Sequence, residues 1–200
     1  MVLGKGSLDQ FLSDSDIHKI CDDAFQNRNI DGKKLLFIFP DHTRSAPMDL
    51  MFRTLYTVLA NRVEQLDFLI ALGTHPPMSD DMINKRIGIT AAERTTRYSK
   101  ARFFNHRWDD PEQLVQVGTI SEEEIEQISK GRLTEKVDVT INKMVLDYDL
   151  IVIVGPTFPH EVVGFSGGNK YLFPGIAGQE IIDMFHWLGA LITSPVIIGT

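Results

Sequence analysis

The sequence predicts an α/β domain, a mostly parallel β-sheet with helices on both faces. Three observations carry this. Short, wholly apolar runs alternate along the chain with stretches whose apolar residues recur every three to four positions, the order of a strand–helix–strand sheet. The runs at 34–39, 65–72 and 150–154 are apolar almost throughout, as strands buried on both faces are. Polar, motif-like segments at 41–44, 73–75 and 155–170 each begin where such a run ends, and open α/β sheets bind ligands at the carboxyl ends of their strands.

Taken in order, residues 15–27 place Ile17, Ile20, Cys21, Ala24 and Phe25 on one helical face. The run 34–39, closed by Pro40, reads as a buried strand. Pro47 is placed to open a helix whose buried stripe would be Leu50, Met51, Leu55, Val58 and Leu59. The strand 65–72 ends at Gly73-Thr-His-Pro-Pro77, where two prolines exclude regular structure, and Ser79-Asp-Asp81 caps a helix running to about Arg86. Ala101 to Phe104 and Leu114 to Ile120 read as strands, and Ser121 to Glu124 as the capping box of a short acidic helix. Alternation over 137–142 gives a half-exposed strand, followed by the apolar strand 150–154. A Gly-rich segment, 155–178, leads to a last helix, 179–191, with Ile181, Ile182, Phe185, Leu188 and Leu191 on its apolar side. The closing 194–200 reads as a strand delivered to a loop.

Composition bounds the function. At 43% hydrophobic and 24% charged, 200 residues suit one large globular domain. The single cysteine, Cys21, excludes a disulfide framework and a Cys-rich zinc module. Twenty Lys+Arg against 27 Asp+Glu leave a net charge of −7, so no whole-domain positive field points to nucleic acid or an anionic membrane, and an anionic ligand needs a local cationic pocket. The amino terminus lacks the basic-then-apolar layout of a signal peptide, and no run approaches the roughly 18 apolar residues of a membrane span, so a cytoplasmic location is expected.

Within the polar segments, Arg44 offers a planar fork for a carboxylate or phosphate, and Asp41 can orient it or a ligand hydroxyl; the alternative is a capped turn with Arg44 in a surface ion pair. His75, at a strand's carboxyl end, is placed as a general acid or base, or as a loop histidine bonded to backbone. The segment 155–178 matches neither G-x-x-x-x-G-K-[ST] nor G-x-G-x-x-G. Ser166, Gly167 and Gly168 could form a phosphate nest with charge from Lys170, and His160 could titrate beside it. His186, between Phe185 and Trp187, is by itself either a core histidine or a metal ligand that would need His75 and His160 from other elements; His18 and His106 are weaker candidates.

Together, DHTR at 41–44, GTH at 73–75, HEVVGFSGGNK at 160–170 and the helix histidine at 186 resemble the amino-terminal domain of the nickel-pincer nucleotide lactate racemases. The resemblance implies a Rossmann-like domain, 1–200, the first of a two-domain protein, with its carboxyl end at Gly199-Thr200 cut inside a larger chain and the 200 residues inactive alone. It implies a 2-hydroxy acid racemase or epimerase, acting on lactate or a related acid by proton-coupled hydride transfer to the cofactor through a 2-keto acid. That cofactor would be the pyridinium-3,5-bisthiocarboxylic acid mononucleotide nickel complex, tethered at Lys170, with His186 the protein ligand to nickel and Ser166, Gly167 and Gly168 lining the nucleotide. His75 and His160 would be the acid/base pair, Arg44 would hold the substrate carboxylate, and Asp41 would assist in positioning. The implied partners are a small 2-hydroxy acid, a second α/β domain and the proteins that make the cofactor. The rival reading is a non-catalytic α/β module binding a nucleotide or phosphate through 166–170.

Overall fold

The computed structural model describes residues 2–200. Along the chain, α1 (Asp14–Gln26) leads to β1 (Lys34–Pro40), α2 (Met48–Leu59), β2 (Gln65–Ala71), the short helices α3 (Asp80–Arg86) and α4 (Ala91–Thr95), and β3 (Ala101–Asn105). An excursion through β4 (Leu114–Ile120), α5 (Glu122–Ser129) and β5 (Val137–Asn142) precedes β6 (Leu150–Ile153). The remainder holds a small hairpin, β7 (Pro159–His160) with β8 (Gly164–Phe165), then α6 (Gln179–Ile192) and α7 (Ser194–Ile197). The four-stranded sheet is wholly parallel, in the order β3-β2-β1-β6. Strand order runs outward from β1 in both directions, so a topological switch point lies between β1 and β6.

The continuous apolar runs have the expected cause. On one face of β1 and β2, Leu35, Phe37, Phe39, Leu66, Phe68 and Ile70 pack against α1 and α2. On the other, Leu36, Ile38 and Leu69 meet Ile141, Tyr171 and Ile176, carried by β5 and the Gly-rich segment. Helices thus flank both faces, α-helices on the first and short 3-10 turns at 143–146 and 168–171 on the second. Phe37, Phe68 and Phe103 lie opposite one another in register and stack across three strands, with centroids 5.3 and 5.1 Å apart. Phe52 of α2 meets Phe68 edge-on at 5.3 Å. This contact sets the rotation of α2: Met48, Phe52, Leu55 and Leu59 are buried, whereas Leu50, Met51 and Val58 of the expected stripe are only partly so.

On the second face Asp67 is fully buried. It is held by Arg102 through both carboxylate oxygens (2.9 and 2.6 Å), by Gln65 Nε2 at 2.6 Å and by the Tyr148 hydroxyl. Two expected strands fall outside the main sheet: β4 and β5 form a separate antiparallel pair, on which α6 packs through Ile181 and Ile182. The expectation of a strand after residue 193 is overturned. Residues Ser194–Ile197 form a helical turn, with Pro195 in the first turn, where its missing N–H is not needed, and the Ile198 N–H donating to Ser194 O at 3.0 Å. No helix among the described residues is long and apolar enough to cross a membrane.

His106, just beyond β3, ties these units together. It is 1% exposed; its Nε2 donates to Ala177 O at 2.9 Å and its Nδ1 accepts from Asn142 Nδ2 at 3.3 Å. Burial holds the imidazole down to about 4, against the opposing pull of the Ala177 carbonyl. The unfolded chain therefore binds this proton at about 6.5 while the folded chain resists it to about 4, so the stabilisation is complete above 6.5 and is lost as pH falls between those values. Urea denaturation at pH 7 and pH 4 is expected to show a loss on the order of 3 kcal/mol from this residue. His106→Gln should be destabilised at pH 7 and should show that much less pH dependence.

Candidate active site

The parallel register of β1 and β2 ends with Pro40 opposite Ala71, so the residues beyond these strands, Asp41 and the 72–75 turn, emerge side by side. Asp41 is 2% exposed, and its Oδ2 lies 2.7 Å from Nδ1 of His75. Its other oxygen accepts from the Thr43 hydroxyl at 2.6 Å and the Thr43 N–H at 3.1 Å. Burial pushes the Asp41 carboxyl up, but the hydrogen bonds from Thr43 and His75, with the charge of His75, outweigh it and leave the group below the usual carboxylate range. A carboxylate can only accept, so Nδ1 of His75 carries a proton and Nε2 is the nitrogen available to a ligand. The histidine itself remains half-exposed.

His160 ends β7, and the hairpin that carries it is held against α6 at Gly189, where a Cβ would lie 2.7 Å from a methyl of Val162. The Val162 N–H donates to His160 Nδ1 at 3.1 Å, so in the neutral ring Nε2 carries the proton, the opposite tautomer to His75. Burial pushes the His160 imidazole below its ordinary value, and the nearby Lys170 charge adds to this, against the opposing pull of Glu161. His186 lies one turn before Gly189 and is exposed at the rim of the same cleft. Its Nδ1 donates to Ile182 O at 2.7 Å, which fixes the ring and presents Nε2 as a single lone-pair donor.

Behind the hairpin, Gly167 adopts φ +80°, and a Cβ there would collide with Pro156 O and the Thr157 hydroxyl; only glycine fits. Gly168 follows at φ +51°. Ser166 is buried and turned to structural use, its N–H donating to Phe158 O at 2.8 Å and its hydroxyl accepting from the Phe158 N–H at 3.3 Å. Of the expected nest, the Ser166 N–H is thus already engaged. Lys170 is partly buried; desolvation lowers its amine below the ordinary lysine value, and Arg44 adds to the effect while Glu161 opposes it.

These groups share one cleft of about 320 Å³ at the carboxyl ends of β1, β2 and β6. Asp41, Arg44 and His75 line it together with His160, Ser166, Gly167, Lys170 and His186, and the Arg44 charge reaches both His160 and Lys170. Gly168 lies outside it, in an adjoining cleft that shares Gly167 and Lys170. The ion pair of the cleft is His75–Asp41, while His160 Nδ1, which accepts from the Val162 N–H, lies 3.6 Å from Glu161; Arg44 and Lys170 pair with no carboxylate among the described residues, so the surface-pair reading of Arg44 does not describe this structure. Among the described residues no group of three or more His, Cys, Asp or Glu side chains could hold a metal. His106 and His18 stand apart from the cleft.

Sequence reading included an Asp/Thr-capped turn at 41–44, which Thr43 makes with Asp41, but missed the Asp41–His75 contact, Glu161 and Tyr171. The D-x-T spacing was a signal for the turn at Thr43, since an Asx side chain bonds the N–H two residues on. Adjacent strand ends were a signal for the Asp–His contact.

Comparison with known proteins gives these observations a family. Residues 17–196 match the lactate racemase N-terminal domain. The lactate racemase of Thermoanaerobacterium thermosaccharolyticum is 31% identical over 159 residues, 78% of this chain and 33% of the relative; that of Lactiplantibacillus plantarum is 28% identical over 166 residues, 80% and 34% respectively. The chain thus spans about a third of the length of these curated relatives. Among solved structures, a Thermotoga maritima protein superposes with a TM-score of 0.84 at 34% identity, covering 94% of this chain and 44% of that one. The lactate racemase apoprotein of T. thermosaccharolyticum superposes with a TM-score of 0.58 at 25% identity, covering 82% and 38%. The chain belongs to the lactate racemase N-terminal domain family.

Proposed function

We propose that this chain is the catalytic amino-terminal portion of a racemase or epimerase acting on lactate or a related 2-hydroxy acid. The observation that carries the reading is one cleft holding two imidazoles from different loops in complementary tautomers, His75 with a free Nε2 lone pair and His160 with an Nε2–H, beside a guanidinium with no carboxylate partner among the described residues. Inverting a carbon requires proton transfer to the substrate oxygen in two orientations, so a histidine serving each orientation, one as acceptor and one as donor, is the economical arrangement.

Arg44 is suited to take the substrate carboxylate as a bidentate pair, fixing the acid by the end that does not react. One histidine then removes the hydroxyl proton. If it is His75, the ionised Asp41 stabilises the positive charge that forms. His160, held toward its neutral form, serves the oxygen in its second orientation, once the acyl group of the planar 2-keto acid has turned over.

The residues fit a nickel-pincer nucleotide. A desolvated Lys170 amine without an ion-pair partner keeps more of the nucleophilic free base that an acyl tether needs. His186 offers one fixed Nε2, the share of a metal site left to a protein whose ligand brings the other donors. Gly168, with nothing within 4 Å of where a Cβ would stand, leaves open space beside Lys170, and Gly167 lets the chain pass close to Pro156 and Thr157. When bound, this group supplies acceptance and return of the C2 hydride.

Full-length, cofactor-loaded protein is expected to interconvert D- and L-lactate, or a larger member of a 2-hydroxy acid panel. His75→Ala and His160→Ala should each lower kcat by at least about 100-fold. Retention of full activity in both would remove these histidines from the mechanism. Intact-mass measurement should show a covalent adduct that disappears in Lys170→Ala, and elemental analysis should show nickel that is lost in His186→Ala. Unmodified protein without nickel, active on lactate, would overturn the cofactor assignment.

A further inference from the structure

Arg86 is the last residue of α3 and does not line the cleft, yet it reaches the connection that carries Arg44. Its Nη2 donates to the main-chain carbonyl of Arg44 at 2.7 Å. Across 42–46 this is the one hydrogen bond to a part of the chain distant in sequence; the others, from Thr43 to Asp41, from Arg44 to Thr43 and from Met48 to Ala46, are local. The contact is made in an unfavourable place. Nε of Arg86 is buried with no acceptor, and desolvation works against the guanidinium charge, opposed by the fields of Asp41, Tyr171 and Asp49. An arginine serving only as a surface anchor would satisfy all its donors. This one accepts a buried, unpaired N–H and spends its charge-assisted bond on the backbone of the residue whose side chain faces the ligand.

We propose that Arg86 is a positioning residue that sets the Arg44 fork. Its bond to the Arg44 carbonyl fixes the orientation of that peptide, and with it the direction in which the Arg44 side chain leaves the loop. The tip of Arg44 is otherwise held only by the Thr43 hydroxyl at 3.3 Å, a long contact that leaves it free to meet an anion once the backbone is fixed. This rests on the reading of Arg44 as the carboxylate binder.

The test uses full-length, cofactor-loaded enzyme with Arg86→Met and Arg86→Lys. The methionine variant keeps much of the aliphatic bulk without a donor; the lysine variant restores one donor. For Arg86→Met, KM for lactate and the inhibition constant of propionate, a carboxylate with no hydroxyl to react, should rise in parallel by about tenfold, the scale of one lost charge-assisted hydrogen bond. The kcat should change less than about threefold. Amide hydrogen exchange should accelerate in 42–46 with the sheet unchanged, and Arg86→Lys should recover part of both effects. Unchanged KM and propionate inhibition would overturn the proposal, as would equal losses of kcat and binding accompanied by faster exchange throughout the sheet. If wild-type enzyme racemises no 2-hydroxy acid, the functional reading fails. Propionate binding and exchange at 42–46 still decide whether Arg86 governs Arg44.

Discussion

The register of β1 against β2 is the constraint on which the site depends. Both strands are buried on two faces, so apart from Asp67 of β2 nothing polar in their interiors marks which residue should face which. The aromatic rings do. Phe37, Phe68 and Phe103 stack across three strands, and Phe52 closes on the middle ring from α2. A one-residue slip would turn every side chain to the opposite face and strip Asp67 of Arg102, leaving a buried charge unpaired. With the register held, Asp41 and His75 leave neighbouring strand ends and meet at 2.7 Å. The contact between the two polar loops is a consequence of packing in the middle of the sheet.

The other half of the cleft is suspended differently. The 155–178 segment has little regular structure and hangs from the surrounding units by backbone bonds: Gly73 N–H to Gly175 O at 2.8 Å, Asn142 N–H to Ile176 O at 2.8 Å and Gly178 N–H to Thr140 O at 3.1 Å. Buried His106 adds the Ala177 carbonyl. The antiparallel β4–β5 unit, outside the main sheet, therefore bears on the position of Lys170 through β5 and this segment. Its acidic surface and modest strands gave no reason to expect that role.

What could be read from the amino acids follows from the same division. The buried strands and most helices announced themselves by apolar runs, by periodicity and by caps such as Ser79 and Ser121. The stripe of α2 was right at Leu55 and Leu59, with Met51 and Val58 packed against the core, but left out Phe52 because Leu50, Met51 and Phe52 are all apolar and only a tertiary contact, Phe52 on Phe68, decides among them. Val196, Ile197 and Ile198 favour a strand locally, while the turn they form depends on Pro195 and the packing of Gly199 N–H against Gly164 O at 2.8 Å. The site residues were found as motifs at strand ends, but the state of each depends on partners far away in sequence. Ser166 reads as a cofactor-lining residue; it lines the cleft, and its hydroxyl accepts from the Phe158 N–H. His106 reads as a minor candidate, yet it latches the cleft floor in place.

Net charge and local charge also part company, and the reason bears on how the cleft works. The chain is acidic overall, at −7, yet Arg44 and Lys170 stand in the cleft without ion-pair partners and with Arg86 behind them. Paired cations would stabilise the free domain more, since desolvated charge without a partner is costly. Leaving them unpaired keeps the deficit for an anionic ligand to offset, so that binding removes a penalty as well as making new contacts. The histidines follow the opposite rule. Asp41, the Val162 N–H and the Ile182 carbonyl each engage Nδ1 of one ring, removing the rotational and tautomeric freedom that would blunt proton transfer or metal ligation. The groups proposed to move protons or hold a metal are thus oriented in advance, and those proposed to attract an anion are left unpaired; each half of the cleft contributes to both sets, Arg44 and His75 from the ends of β1 and β2, and Lys170 and His160 from 155–178.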